Sequence, residues 1–194
     1  MSKYIQIEFR WLLSEDEYNQ LMESCMKDAQ TLSKENKNVH FVILSDKFLR
    51  ISHDLDTWEG EIVLKLNKIW IWSDFEVKKL SIKPNDISTF IDILNHLWHT
   101  QIQEWCLQTS HNFIYDDVLV KLKHSNDWWY HAQLEVTIDN AGSRSEAVYL
   151  IRKLANKLWL SLLTTEELKR VTDQIDKKHI SKQNNLIHKD KLIF

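Results

Sequence analysis

The sequence predicts an α+β fold: an antiparallel sheet of about six to eight strands, with two or three amphipathic helices packed on one face. Three observations lead there. Residues 3–12 alternate with a period of two, placing Ile5, Ile7, Phe9 and Trp11 on one side and Tyr4, Gln6, Glu8 and Arg10 on the other. Strand-like segments then cluster ahead of helical ones instead of alternating with them, which argues against a doubly wound parallel sheet. Finally, the chain of 194 residues holds only two glycines and one proline, where average usage would give ~14 and ~10.

The elements follow in chain order. Ser14 and Glu17 form a capping box that opens a first helix. Its stripe runs Tyr18, Leu21, Met22, Cys25, Ala29 and Leu32, and it should fade near Asn36 to Asn38. Residues 39–84 read as five strands, HFVIL, KFLRIS, EIVLKL, KIWIWS and FEVKKLSI, with breaks at Asp46, at Asp54 to Gly60 and at Ser73-Asp74. Pro84-Asn85-Asp86 starts a second helix over 86–108, with a stripe that includes Ile87, Leu94, Trp98, Ile102 and Trp105. A hairpin comes next, FIYDDVLVKLK and WWYHAQLEVTI, joined through His124 to Asp127. Ser143 and Glu146 box a third helix at 143–163, with Val148, Ile151, Leu154, Leu158 and Trp159 on its stripe. A third box, Thr164 to Glu167, begins a more polar helix to about residue 180.

One domain over 1–180 and a polar tail over 181–194 is the expected organisation. The segments beginning at His40 and His111 echo one another, which would suit tandem hairpin-helix units at 39–108 and 111–163.

Composition removes whole classes of function. Gly60 and Gly142 stand alone, so the chain has no phosphate-cradling loop, dinucleotide fingerprint or strained nucleophile turn. A net charge of −3 gives no general reason to expect nucleic acid or an anionic membrane as partner. The opening MSKYIQIEFRW lacks the apolar run of a signal peptide, and no stretch has the ~18 apolar residues of a membrane helix. Cys25 and Cys106 are far apart and suggest no disulfide framework, so a cytoplasmic location is expected.

Two constellations carry chemistry in principle. Asp56, Glu76 and Lys78 match a metal-dependent nuclease, in which carboxylates hold a divalent ion and the lysine steadies developing negative charge. They also fit a solvated turn and the polar face of a strand, and they are expected not to converge. Asp92, His96 and His99 lie one turn apart on the second helix and could contribute to a metal site, with no further ligand in view.

The nine tryptophans divide by context. Trp11, Trp98, Trp105 and Trp159 sit on apolar stripes and are expected in the core. Trp58, Trp70, Trp72, Trp128 and Trp129 have the setting of protein-interface anchors. The expected function is accordingly a non-enzymatic cytoplasmic binding protein of immunity, antitoxin, chaperone or accessory-subunit type. It would need no cofactor, and its partner would be another protein, a homo-oligomer included. The alternatives are the small nuclease and a small-ligand binder with a tryptophan-lined pocket.

Overall fold

The polar side of the first strand is enclosed as well as its apolar side, most completely at Glu8. In a computed structural model describing residues 4–43, 47–66, 72–97, 102–126, 129–160, 166 and 170, Glu8 is as deeply buried as Ile7 and Trp11. The reason is closure. The strands are β1 (Ile5–Leu13), β2 (Gln30–Ile43), β3 (Phe48–Asp54), β4 (Gly60–Lys65), β5 (Trp72–Ile82), β6 (Ile102–Tyr115), β7 (Val118–Ser125) and β8 (Trp129–Ile138). They form an antiparallel barrel in the order β1-β5-β4-β3-β2-β6-β7-β8, closed between β8 and β1. The α+β class and its eight-strand antiparallel sheet are as expected. The closed barrel is the finer feature that the period of two does not reveal.

Among the described residues three helices coat the outside: α1 (Glu15–Asp28), α2 (Ile87–His96) and α3 (Arg144–Lys157). Ile7, Phe9 and Trp11 face outward and pack with Tyr18, Leu21 and Cys25 of α1 and Ile151 and Leu154 of α3. Val120, Leu122, Ala132 and Leu134 of β7 and β8 complete this cluster. On another side, Val42, Leu49, Ile51 and Ile62 are covered by Ile87 and Leu94 of α2.

Local chemistry explains several ends. The Ser14 hydroxyl accepts from the Glu17 amide at 3.2 Å, and the Glu17 carboxylate accepts from the Ser14 amide at 2.7 Å, so the first capping box is present as expected. Asp116 and Asp117 both adopt positive φ, 49° and 63°, making the tight two-residue turn between β6 and β7. Gly60 opens β4 so close to β5 that a Cβ there would lie 2.6 Å from the Ile82 carbonyl oxygen.

Several boundaries differ from expectation. The first helix stops at Asp28, and Ala29 turns extended into β2, because Gln30 to Val42 pair with Ile114 to Ile102 of β6. The second helix stops at His96, and Ile102, Trp105 and Cys106 are strand residues of β6. In both places long-range pairing overrides a locally helical stripe. Strand β5 runs through Ser73-Asp74 without a break, and FIYDDVLVKLK is divided by the aspartate turn. Ser143 makes no side-chain cap, and α3 ends at Lys157, leaving Trp159 at φ 55° and 92% exposed instead of in the core. Trp98 and the predicted helix over 165–180 fall outside the described residues, apart from Glu166 and Arg170, both helical and exposed. No helix among the described residues is long and apolar enough to cross a membrane.

Phe9→Ala tests the outward assignment of this face. Large-to-small replacement in a packed cluster should cost about 3–5 kcal/mol, read from urea unfolding monitored by circular dichroism. A cost under about 1 kcal/mol would mean that Phe9 is not packed against α1 and α3.

Candidate active site

Because side chains alternate along a strand, every strand that turns an apolar residue out to the helices turns its neighbour into the barrel. The interior holds a cavity of about 410 Å³ whose described walls come from all eight strands. Its chemistry is dominated by charge. Arg10, Lys37, Arg50, Lys65, Lys79, Lys121 and Lys123 line it, with Glu35, Glu61 and Glu135. Glu8 completes the set of inward carboxylates, and Gln6, Gln108, Ser110, His131 and Gln133 supply neutral or weakly basic polar groups.

Glu8 is the hub. Its carboxylate accepts from Lys65 Nζ at 2.6 Å, from Arg10 Nη2 at 2.6 Å and from Gln133 Nε2 at 2.7 Å. Burial works against ionisation, but Arg10 and Lys65 outweigh it and hold the Glu8 pKa down to about 2. Glu135 lies directly opposite Glu8 across the β1–β8 seam, an arrangement of like charges that would repel. Two groups relieve it: Gln133 donates to both carboxylates, at 2.7 and 3.0 Å, and Lys121 pairs with Glu135 at 2.8 Å. On the opposite wall Glu61 is paired with Arg50 and Lys79, and these cations hold it down to about 2 against the effect of burial.

Lys123 differs from the other cations. It is buried, and its ammonium donates at 2.9 Å to the amide oxygen of Gln133, a neutral partner. Burial and then the positive charges of Lys121, Arg10 and Arg50 push its pKa well below the ordinary lysine value. His131, directly across β7–β8 from Lys123, is likewise pushed well below the ordinary histidine value by burial and by Lys123 and Arg10. Burial draws Lys65 down to about 8 even with Glu8 beside it. Seven described cations against four carboxylates make the interior electropositive, and of those cations Lys65 and Lys123 are buried.

The residues singled out from sequence lie elsewhere. Asp56 sits on the exposed β3–β4 turn and accepts from Asn36 Nδ2 at 2.9 Å. Glu76 and Lys78 pair with each other at 2.8 Å, on the side of β5 opposite the cavity-lining Val77 and Lys79. Glu76 adjoins Leu66, at the far end of β4 from the Asp56 turn, roughly 16–20 Å away at ~3.3 Å per residue. The three are not brought together. Asp92 and His96 are exposed on α2, where the His96 ring nitrogen lies 2.8 Å from the Asp92 carbonyl oxygen; His99 falls outside the described residues. Among the described residues no group of three or more His, Cys, Asp or Glu could hold a metal ion.

Trp58 is 59% exposed, with its ring edge-on to His53. Trp70 and Trp128 fall outside the described residues, and Trp72 and Trp129 are placed by backbone only, in β5 and β8. The aromatic residues among the described lining of the cavity are Tyr4 and Phe41. Both cysteines are buried free thiols, and burial and then Asp28 push Cys25 up to about 12.

No known protein family and no curated protein sequence matches the chain. Solved structures do resemble it. A Pyrococcus horikoshii protein aligns with a TM-score of 0.62 at 19% identity, over 80% of this chain and 91% of that one. A putative adenylyl cyclase from Hippeastrum, described as having a dominant triphosphatase activity, aligns at 0.59 and 11% identity, over 86% and 95%. A putative adenylate cyclase from Bacillus halodurans aligns at 0.55 and 16%, over 85% and 95%. At these identities the likeness establishes a shared fold. It also overturns the expectation of a non-enzymatic binder, whether immunity protein, antitoxin, chaperone or accessory subunit. Two of these neighbours are described as putative cyclases, one of them with triphosphatase activity, and the described charged side chains of this chain converge inside the barrel. A nuclease site built on Asp56, Glu76 and Lys78 is set aside too, on the geometry above.

The hub makes two predictions. Glu8→Gln removes the buried carboxylate that faces Arg10 and the buried Lys65 and should cost about 3–5 kcal/mol in urea unfolding, with much of that recovered in Glu8→Gln/Lys65→Met. Glu8 and Glu61 bind their protons near pH 2 when folded and near 4.5 when unfolded, so the stability they confer is complete above pH 4.5 and should be lost as pH falls from 4.5 toward 2. Lys65, at about 8 folded and 10.5 unfolded, shifts stability in the same direction in a second window: between those values the unfolded chain holds more protons, so the cost of burying its charge is relieved and stability should rise again with pH. Urea midpoints measured across pH check both limbs.

Proposed function

We propose that this protein is a phosphate-handling enzyme whose barrel interior receives the phosphate chain of a nucleoside triphosphate or an inorganic polyphosphate. The observation that carries this reading is the convergence of seven lysine and arginine side chains on a cavity of about 410 Å³, an excess of positive charge inside a chain of net charge −3. The described triphosphatase activity of the Hippeastrum protein on the same fold supports it.

The residues have distinct tasks in this reading. Arg50, Lys79 and Lys37 on one wall, and Lys121, Lys123 and Arg10 on the other, offer donors to an extended anion along its length. Phosphoryl transfer asks little covalent chemistry of a protein. What it needs is positioning, and stabilisation of charge spread over the equatorial oxygens. Cations already fixed by Glu8, Glu61 and Glu135 provide that without reorganising.

Lys123 separates function from stability. Lys123→Met removes a buried basic group held by a neutral amide, so the thermal midpoint should stay level or rise. Binding of inorganic tripolyphosphate, and phosphate release from it or from ATP, should fall at least about tenfold, as expected on losing a charged hydrogen bond. Wild-type protein that neither binds nor cleaves these compounds, with or without Mg²⁺, would overturn the reading.

A further inference from the structure

Triphosphates commonly reach enzymes as Mg²⁺ complexes, with the ion held by one or two carboxylates and by phosphate oxygens in an octahedron at ~2.0–2.1 Å. A barrel that used such a complex would need inward carboxylates with oxygens free to ligate. The four inward carboxylates described here are each engaged by cations. Glu8 receives Lys65, Arg10 and Gln133; Glu135 receives Lys121 and Gln133; Glu61 receives Arg50 and Lys79. Glu35 receives Lys37 at 2.7 Å and the Asn112 amide at 2.9 Å.

The amide of Gln133 is the decisive group. Glu8 and Glu135 face each other across the β1–β8 seam, the one place where two described inward carboxylates meet directly in register. Between them a divalent ion would find its ligands. The Gln133 NH₂ group stands there instead, donating to both, and a donor cannot ligate a cation. Its own oxygen is taken by Lys123. Gln6, two residues before Glu8 on the same inner face, is a second neutral amide where a carboxylate would have added ligating charge.

We infer that the barrel binds its polyphosphate as the free anion and not as a divalent-cation complex, with its own ammonium and guanidinium groups supplying the neutralising charge. This rests on the phosphate-binding reading above and goes beyond it, since it states the ionic form of the ligand. Mg²⁺ would then act as a competitor, because a complexed phosphate chain offers fewer negative charges and fewer open oxygens to the cavity.

The test is calorimetric titration of inorganic tripolyphosphate into the full chain at constant ionic strength, in EDTA and in excess Mg²⁺. Binding is expected in EDTA and should weaken at least about tenfold in Mg²⁺, as the ligand loses charge. Binding that appears only with Mg²⁺ or Mn²⁺ would overturn this inference and leave the phosphate-binding reading standing. Failure to bind under both conditions would overturn both. A second measurement needs no phosphate: titrating Mn²⁺ and following the free-ion paramagnetic signal. Wild type should leave that signal unchanged, whereas Gln133→Glu, which places a third carboxylate between Glu8 and Glu135, should deplete it. Depletion by the wild type would overturn the inference, and this result does not depend on whether the variant folds.

Discussion

Strand β1 hydrogen-bonds to β5 along one edge and to β8 along the other, and this double pairing turns the polar half of its alternation into an enclosed space. Once Gln6, Glu8 and Arg10 are turned inward, water reaches them poorly, and Glu8, fully buried, must find protein partners or bear a desolvation cost of several kcal/mol. The arrangement around Glu8 answers that constraint. One carboxylate takes donors from β1, β4 and β8, so the same contacts that neutralise the charge also fix the mutual register of three strands. The outer clusters under α1, α2 and α3 stabilise the barrel, while the inner network determines which barrel forms.

That inner network is deliberately incomplete in its charge balance. Its carboxylates are held down as anions, whereas Lys65, Lys123 and His131 are all drawn toward their neutral forms. Apolar groups of similar volume would make a more stable interior. Stability forgone at a site is a common signature of chemistry performed there, and a ligand that binds the folded form returns some of it: about 2.7 kcal/mol at a hundredfold excess over Kd.

Much of the scaffold was legible in the residues. The period of two over Ile5 to Trp11, the Ser14–Glu17 box and the antiparallel arrangement all follow from local patterns. Element ends at Ala29 and His96 were not legible, because the pairing of β2 with β6 joins residues some seventy positions apart and overrides helical stripes. The site was hidden for a related reason. Every inward residue is an ordinary polar member of an amphipathic strand, and such a face reads as solvated until the sheet closes. One signal was present: Lys121-x-Lys123, His131-x-Gln133-x-Glu135 and Gln6-x-Glu8-x-Arg10 repeat charge and amide groups along one side of consecutive segments. Eight such strands with three helices leave the second face of the sheet to enclose something.

The seam between β1 and β8 also bears on the order of events at the ribosome. Glu8 and Gln133, bonded in the finished barrel, are 125 residues apart in the chain. Helix α1, β2 and the hairpins can begin to organise as they emerge, but β1 has no complete environment until the last strand is made. Until then its apolar and charged sides are both exposed, as an unprotected edge open to intermolecular pairing. The entropic charge for closing so long a loop grows only logarithmically with length, so the burden falls on speed more than on stability. The Lys, Glu and Arg side chains that later line the cavity would serve during that interval as a guard against aggregation, keeping one side of each waiting strand hydrated.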